Sequence, residues 1–183
     1  MIFAVVGPSG AGKDTLIEGV LRARPGLRLA RRVITRPTEA GGEDFEGVTP
    51  EEFAARKARG EFALDWEAHG LGYGIPKAQV QGGGDVIFNG SRAALAQAQA
   101  VFPDLRVIVI TAPSRLLAER LAARGRETHG DIAERLDRAG FDLPEGLAAV
   151  TVMNDATPDK GVARLLAALD AAAARKTTQD HPR

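Results

Sequence analysis

Apolar residues along this chain fall into short runs, and most runs are followed by a segment in which apolar positions recur at helical spacing. The run at 105–111 is β-branched and nearly continuous, which is typical of a parallel strand buried on both faces. Strands are predicted at 2–6, 32–35, 62–66, 85–89, 105–111 and 149–153. Helices are predicted at 13–23, 50–60, 91–101, 114–124 and 131–139, with a last one opened by Thr157 and Pro158. This alternation predicts a three-layer α/β/α fold with a central parallel sheet.

The interval 34–84 breaks the alternation. It contains a polar, glycine-rich stretch at 36–44, predicted to be a surface loop, and a second stretch at 69–76, predicted to be a turn-rich loop that holds the only tyrosine. We interpret 34–84 as a small inserted subdomain over the carboxyl ends of the strands, where ligands bind in such sheets. At 183 residues the chain fits a single domain, 1–183. The polar tail at 176–183 is predicted to be disordered.

A glycine-rich segment between the first strand and the first helix is the strongest chemical signal. It consists of Gly7, Pro8, Ser9, Gly10, Ala11, Gly12, Lys13, Asp14 and Thr15, and all nine are predicted to hold a nucleotide. A strand, a glycine-rich turn and a helix start form the context of a phosphate-binding loop. Glycines let successive N–H groups point at phosphate oxygens, and the helix start adds the positive end of its dipole. Lys13 supplies a point charge for the β- and γ-phosphates.

The residue after this lysine departs from the usual pattern. A serine or threonine is expected there as a magnesium ligand, but the chain has Asp14, with Thr15 one position later. A carboxylate is a good ligand for Mg²⁺, so Asp14 is the predicted metal residue. Thr15 lies about 100° further round the helix and is the weaker candidate. The alternative is a glycine-rich turn that binds nothing.

Composition narrows the list of partners. The chain has 24 basic and 24 acidic residues and a formal net charge of zero, so nothing draws it as a whole toward nucleic acid or an anionic membrane. It has no cysteine, which excludes disulfides and thiolate metal sites. The first strand begins at residue 2, and no apolar run is long enough to span a bilayer, so we expect a cytoplasmic protein.

Local arginines must therefore supply any further anion site. Arg36 lies in the inserted segment, and a second group comprises Arg120, Arg124, Arg126, Arg135 and Arg138. Arg120 and Arg124 are four residues apart and share a helix face. Two arginine-bearing helices joined by a loop would form a lid, 124–138, over a triphosphate. The alternative is surface ion pairing, as between Asp131 and Arg135. An arginine lid opposite an inserted subdomain is the layout of a small-molecule kinase.

The order of short motifs resembles the guanylate kinases. The shared residues are the loop 7–13, Thr35-Arg36-Pro37, Gly60-Glu61-Phe62, His69-Gly70, Tyr73-Gly74, Arg120-Leu121, Arg124-Gly125, Arg135-Leu136 and Asn154-Asp155. The resemblance implies a mobile acceptor domain and an arginine lid. Four departures stand out. The second arginine after Thr-Arg is missing, Asp44-Phe45 replaces Asp-Tyr, Leu64 aligns with the base-reading glutamate, and Asn89-Gly90-Ser91-Arg92 replaces an acidic strand end. Leucine cannot accept hydrogen bonds from guanine N–H groups.

Taken together, these departures resemble a related family, the ribose 1,5-bisphosphate phosphokinases of phosphonate degradation. Membership implies ATP and Mg²⁺ as cofactors and a small phosphorylated sugar as substrate, converted to 5-phosphoribosyl 1-diphosphate. We assign catalysis to Lys13, Arg120, Arg124 and Arg135, and acceptor binding to Arg36, Tyr73 and Arg92. Arg92 is new relative to guanylate kinases and would replace their missing arginine; the alternative is an exposed arginine at a helix start. Two alternatives stay open: a guanylate kinase with an altered base pocket, and a non-catalytic binding module for phosphorylated protein segments. The oligomeric state is open as well.

Overall fold

Two β-sheets organise the part of the chain that the computed structural model describes, residues 1–38, 43–123, 143–144 and 146–174. The larger sheet has five parallel strands, which lie side by side in the order β2 (Leu27–Leu29), β7 (Asp85–Asn89), β1 (Ile2–Val6), β8 (Leu105–Thr111) and β9 (Ala149–Met153). The smaller sheet has four strands in the order β4 (Phe45–Gly47), β3 (Arg32–Ile34), β6 (Leu71–Pro76) and β5 (Phe62–Ala68). Its members all come from the interval between β2 and β7.

Most of the helices in the described residues lie where the sequence predicts them. They are α1 (Lys13–Ala23), α2 (Pro50–Ala58), α3 (Lys77–Val80), α4 (Leu95–Val101), α5 (Ser114–Ala123) and α6 (Pro158–Ala174), with a 3-10 turn at Arg92–Ala94 before α4. The start of α2 is set by its cap, because the Thr49 hydroxyl accepts a hydrogen bond from the Glu52 N–H at 3.2 Å. The Glu52 carboxylate bonds Arg56 instead of returning to Thr49. The predicted helix 131–139 and the tail 176–183 lie outside the described residues.

Alternation along the strands of the larger sheet creates two cores. Phe3 and Val5 of β1 face one layer, where α1, α5 and α6 pack through residues such as Leu16, Leu117 and Leu165. The neighbouring positions face the other way. Ala4, Val6, Val86, Phe88 and Val107 pack against α4 and against the smaller sheet. The predicted α/β/α arrangement around a parallel sheet is confirmed, and the smaller sheet joins the second layer.

The stretch at 71–76 is a strand and not the predicted loop. It pairs antiparallel with β5, and Tyr73 lies opposite Trp66. The loop prediction was wrong because the stretch contains two glycines, which weaken most strands. Here their missing side chains make room for aromatic rings: a Cβ on Gly72 would lie 3.1 Å from the Phe53 ring, and one on Gly74 would lie 2.6 Å from the Phe62 ring. These rings stack on each other with centroids 4.8 Å apart.

The sequence also gives no signal for β2, β4 and α3, each of which has only three or four residues. Elements of three or four residues are too short to show a hydrophobic period. Elsewhere the strand at 62–66 extends to Ala68, and the helix predicted from 91 begins as a 3-10 turn. Within the described residues, no helix has the length and apolar character needed to cross a membrane.

We predict that Gly74→Ala lowers the free energy of unfolding by about 1–3 kcal/mol, since the added methyl group must displace the buried Phe62 ring. Urea unfolding followed by circular dichroism measures the change. The matched control is Gly26→Ala, where nothing lies within 4 Å of the new Cβ. Equal stability of the two variants would show that the ring does not constrain this strand.

Candidate active site

The loop between β1 and α1 is shaped by close backbone approaches that only glycine permits. A Cβ on Gly7 would lie 2.0 Å from the Ile110 carbonyl oxygen of β8. Gly12 has φ of 87°, and a Cβ there would lie 2.6 Å from the Asn154 amide nitrogen. The loop is thus pressed onto the carboxyl ends of the parallel strands, with its N–H groups beside the start of α1, as an anion-binding turn requires.

Lys13 reaches back across this loop. Its ammonium group donates to the carbonyl oxygens of Gly7 at 2.9 Å and Pro8 at 3.1 Å. Holding Nζ over the turn places a positive charge beside the converging N–H groups. This is the position from which a lysine neutralises the outer phosphates of a nucleotide.

Asn154 and Arg120 fasten the other side of the loop. The buried Asn154 amide donates to the Ala11 carbonyl at 2.8 Å, and its backbone N–H bonds Thr111 at the end of β8 at 2.7 Å. Arg120 of α5 donates to the Asn154 carbonyl at 3.0 Å and to Gly10 at 3.4 Å. One predicted catalytic arginine is therefore brought to the loop. Arg124 and Arg135, with the rest of the lid 124–138, lie outside the described residues.

Asp14 points toward the strands, whereas Thr15 is exposed. The Asp14 carboxylate accepts a hydrogen bond from the Asn89 amide at 2.6 Å. Among the described residues there is no group of three or more histidine, aspartate or glutamate side chains able to hold a metal. A single carboxylate beside a phosphate loop nevertheless fits Mg²⁺, which usually takes one or two carboxylates and completes its shell with phosphates and water.

The loop forms one wall of an open cavity of about 390 Å³, and the smaller sheet forms the opposite wall. Its lining comprises Gly7, Pro8, Ser9, Gly10, Gly12, Lys13, Asp14, Arg32, Arg36, Glu43, Trp66, Ala68, His69, Leu71, Tyr73, Asn89, Gly90, Ser91 and Arg92. We call this cavity the chamber. Of the nine predicted loop residues, buried Ala11 and exposed Thr15 do not line it. All three predicted acceptor residues do.

Aromatic rings hold the cations of the far wall. The Arg36 guanidinium lies 4.2 Å from the centroid of the Phe45 ring, and that of Arg32 lies 5.2 Å from the Tyr73 ring. Tyr73 in turn stacks on Trp66 with centroids 5.4 Å apart and planes 4° from parallel. Cation–π contacts of this kind fix the direction of a guanidinium without using its N–H donors. Phe45 stands where guanylate kinases have a tyrosine. It has no hydroxyl to offer a phosphate, but its ring supports Arg36.

Two further chamber residues, Arg32 and Glu43, were not predicted from the sequence. Arg32 is buried, and its Nε donates to a Glu43 carboxylate oxygen at 2.9 Å, while a second guanidinium nitrogen bonds the other oxygen. Burial raises the pKa of Glu43, the Arg32 charge opposes this, and Asp14 raises the pKa further. No local motif marks the pair, because its members are eleven residues apart in a strand and a loop.

Arg92 begins the 3-10 turn after β7 and is partly buried, which lowers its pKa.

His69 lies in the two-residue turn between β5 and β6, where His69 and Gly70 have φ of 53° and 72°. Positive φ at both positions is the signature of a type I′ hairpin turn, so His69 has a structural role in this turn. It also lines the chamber.

Comparisons with known proteins identify the family of the chain. The chain is 53% identical over 152 residues to the ribose 1,5-bisphosphate phosphokinase PhnN of Ruegeria sp. (strain TM1040), covering 81% of the chain and 80% of that protein. It is 47% identical to the protein of the same name from Pseudomonas fluorescens (strain SBW25), covering 91% and 93%. The chain belongs to the ribose 1,5-bisphosphate phosphokinase family.

Other members of the family are longer. The chain is 48% identical to the bifunctional ribose 1,5-bisphosphokinase-thymidine phosphorylase of Cupriavidus necator, matching over 91% of its own residues but only 28% of that protein. Among solved structures, a guanylate kinase from Anaplasma phagocytophilum superposes with a TM-score of 0.69 at 19% identity, covering 97% of the chain and 88% of that structure. This likeness shows the P-loop kinase fold. No protein-family model matches the chain.

We predict that Asp14→Ala removes most of the gain in ATP affinity that magnesium provides, because Asp14 is the only carboxylate that the described residues place on the loop side of the chamber. Isothermal titration calorimetry with ATP, with and without magnesium, measures that gain. Affinity without magnesium and the melting temperature should stay near wild type. Thr15→Ala is the matched control and should keep the full magnesium effect. The reverse pattern in the two variants would place the metal ligand at Thr15.

Proposed function

We propose that this chain transfers the γ-phosphoryl group of ATP to ribose 1,5-bisphosphate, giving ADP and 5-phospho-α-D-ribose 1-diphosphate in phosphonate catabolism. The observation that carries the proposal is a chamber with a phosphate-binding loop on one wall and fixed arginines on the other. Two polyanions can meet there with their charges compensated from both sides. Membership of the family supplies the substrate, and the chamber supplies the physical basis.

On the donor side, the N–H groups of the loop 7–15 hold the phosphates of ATP. Lys13 gives up its carbonyl partners for phosphate oxygens, which are the better acceptors because they are charged. Arg120 likewise exchanges its present partners, the Gly10 and Asn154 carbonyls, for phosphate oxygens. With Arg124 and Arg135 of the lid, it compensates charge on the transferring group.

On the acceptor side, Arg36, Tyr73 and Arg92 hold ribose 1,5-bisphosphate. We assign this wall to an acceptor-binding subdomain, 34–84, and add Arg92 from the end of β7. Arg92 replaces the second arginine that guanylate kinases carry and this chain lacks. The Phe45 and Trp66 rings keep Arg36 and Tyr73 in place before substrate arrives, which lowers the entropic cost of binding.

The attacking group is a phosphate oxygen, which is ionised at neutral pH. No side chain has to remove a proton, so the chamber needs no general base. Catalysis then rests on alignment of donor and acceptor and on compensation of charge. Asp14 would hold a magnesium ion, which would supply positive charge to the phosphates of ATP.

The chamber also argues against GMP as the acceptor. Leu64, at the position of the base-reading glutamate, is 1% exposed and packs in the core beneath the smaller sheet. The next carboxylate along β5, that of Asp65, is bound by Lys57 at 2.5 Å and does not line the chamber. Glu67, the other carboxylate of β5, is exposed and does not line the chamber either, so this strand presents no carboxylate there to guanine N–H groups. We further propose that the reaction takes place in the cytoplasm.

We predict that incubation with ATP, magnesium and ribose 1,5-bisphosphate gives a ³¹P NMR spectrum containing the diphosphate pair of 5-phosphoribosyl 1-diphosphate. The same protein with GMP should form GDP with at least a hundredfold lower kcat/KM, about the penalty for leaving a polar base edge unpaired. A coupled assay for ADP compares the two acceptors under identical conditions. Higher efficiency with GMP would refute the proposed substrate.

We predict that Arg36→Gln raises the KM for ribose 1,5-bisphosphate roughly 10- to 100-fold, the loss expected for one or two charge-assisted hydrogen bonds. The KM for ATP should change less than threefold, since Arg36 lies on the far wall. The control is Arg115→Gln, which removes an exposed arginine paired with Glu119. An equal rise in both KM values for Arg36→Gln would mean that the residue stabilises the fold instead of the acceptor.

A further inference from the structure

Arg32 and Glu43 form an ion pair in the wall of the chamber. Both oxygens of the Glu43 carboxylate are held by the Arg32 guanidinium, and the two side chains are 9% and 16% exposed for Arg32 and Glu43 respectively. Arg32 in turn lies over the Tyr73 ring, which stacks on Trp66. The carboxylate is therefore fixed in direction as firmly as the loop across the chamber.

A fixed carboxylate is out of place in a site for phosphates alone. Glu43 lines the same chamber as Arg36, Arg92 and Lys13. A phosphate oxygen placed against it would meet a second hydrogen-bond acceptor with no proton to share, and the Arg32 charge offsets only part of the repulsion between the two anions. The part of the acceptor that lies against Glu43 must therefore be uncharged and able to donate hydrogen bonds.

We infer that Glu43 binds the vicinal hydroxyl groups of a pentose, and that Arg32 positions its carboxylate for this purpose. The inference rests on the proposed function and identifies the residue that reads the sugar between the two phosphates of the acceptor. A carboxylate has about four lone-pair directions, of which Arg32 uses one on each oxygen. Among the described residues no other side chain bonds this carboxylate, so one acceptor direction on each oxygen is left for a hydroxyl donor.

The arrangement divides recognition of the acceptor between two kinds of group. The arginines of the far wall take its phosphates, and Glu43 takes the ring between them. A ligand with phosphates at the right distance but without the hydroxyl groups would leave this carboxylate facing no donor. Sites built to bond a substrate hydroxyl reject analogues that lack it far more strongly than apolar pockets do.

The test compares ribose 1,5-bisphosphate with 2-deoxyribose 1,5-bisphosphate as acceptors for the wild-type chain and for Glu43→Gln. We expect the wild type to prefer the ribose compound by about 10- to 100-fold in kcat/KM. Glu43→Gln should reduce this preference to within about threefold, mainly through the ribose compound, while the KM for ATP stays within about twofold. Glu46→Gln is the matched control, because Glu46 also pairs with an arginine, Arg56, but lies outside the chamber lining.

The possible results separate this inference from the proposed function. Absence of turnover with both sugars in the wild type overturns the function. Turnover of both with equal efficiency by the wild type overturns the role of Glu43 alone, and this arm requires no variant to fold. A Glu43→Gln protein that loses activity equally with both sugars, or melts at a lower temperature with its preference intact, also overturns it. Loss of the preference together with a wild-type melting temperature supports it.

Discussion

The geometry of the site depends on a single buried amide. Asn154 follows the edge strand β9, yet its side chain holds the phosphate loop and its backbone joins the end of β8 to Arg120. Its amide nitrogen occupies the space that a side chain at residue 12 would need, so Asn154 and Gly12 fit each other. A buried amide with its hydrogen bonds made specifies one arrangement, because every displaced alternative leaves polar groups unpaired. The loop therefore has its shape before any phosphate is present.

The chamber can bind polyanions although the protein has no net charge. With 24 basic and 24 acidic residues, the chain has no overall field to attract a polyanion. It instead concentrates cations on two facing walls and ties many other basic side chains into surface ion pairs. Compensation is local, which allows a dense pair of charged substrates to be held without making the whole surface basic.

How much of this could be read from the sequence varies with the length of the pattern. The run 105–111 and the loop 7–15 carry strong local signals, and both lie where they were predicted. Strand β6 was taken for a loop because Gly72 and Gly74 were counted as turn residues, whereas the Phe53 and Phe62 rings that replace their side chains come from elsewhere in the chain. Arg36 was found as the arginine of the inserted segment, and Tyr73 through a family resemblance. Arg32, Glu43, Asn89 and the wider role of Asn154 depend on contacts between distant segments, which no local pattern encodes.

The tight turn at His69 and Gly70 has a consequence for how this site can diverge. A two-residue hairpin with both residues in the left-handed region fixes the register of β5 against β6. A slip by one residue would rotate Tyr73 and Trp66 to the opposite side of the smaller sheet and strip that wall of its aromatic support. A longer hairpin would therefore disturb the whole wall, whereas a substitution at position 36, 43 or 92 changes a single side chain. Relatives of this protein that bind other acceptors should therefore differ at such single positions and keep the length of the hairpin.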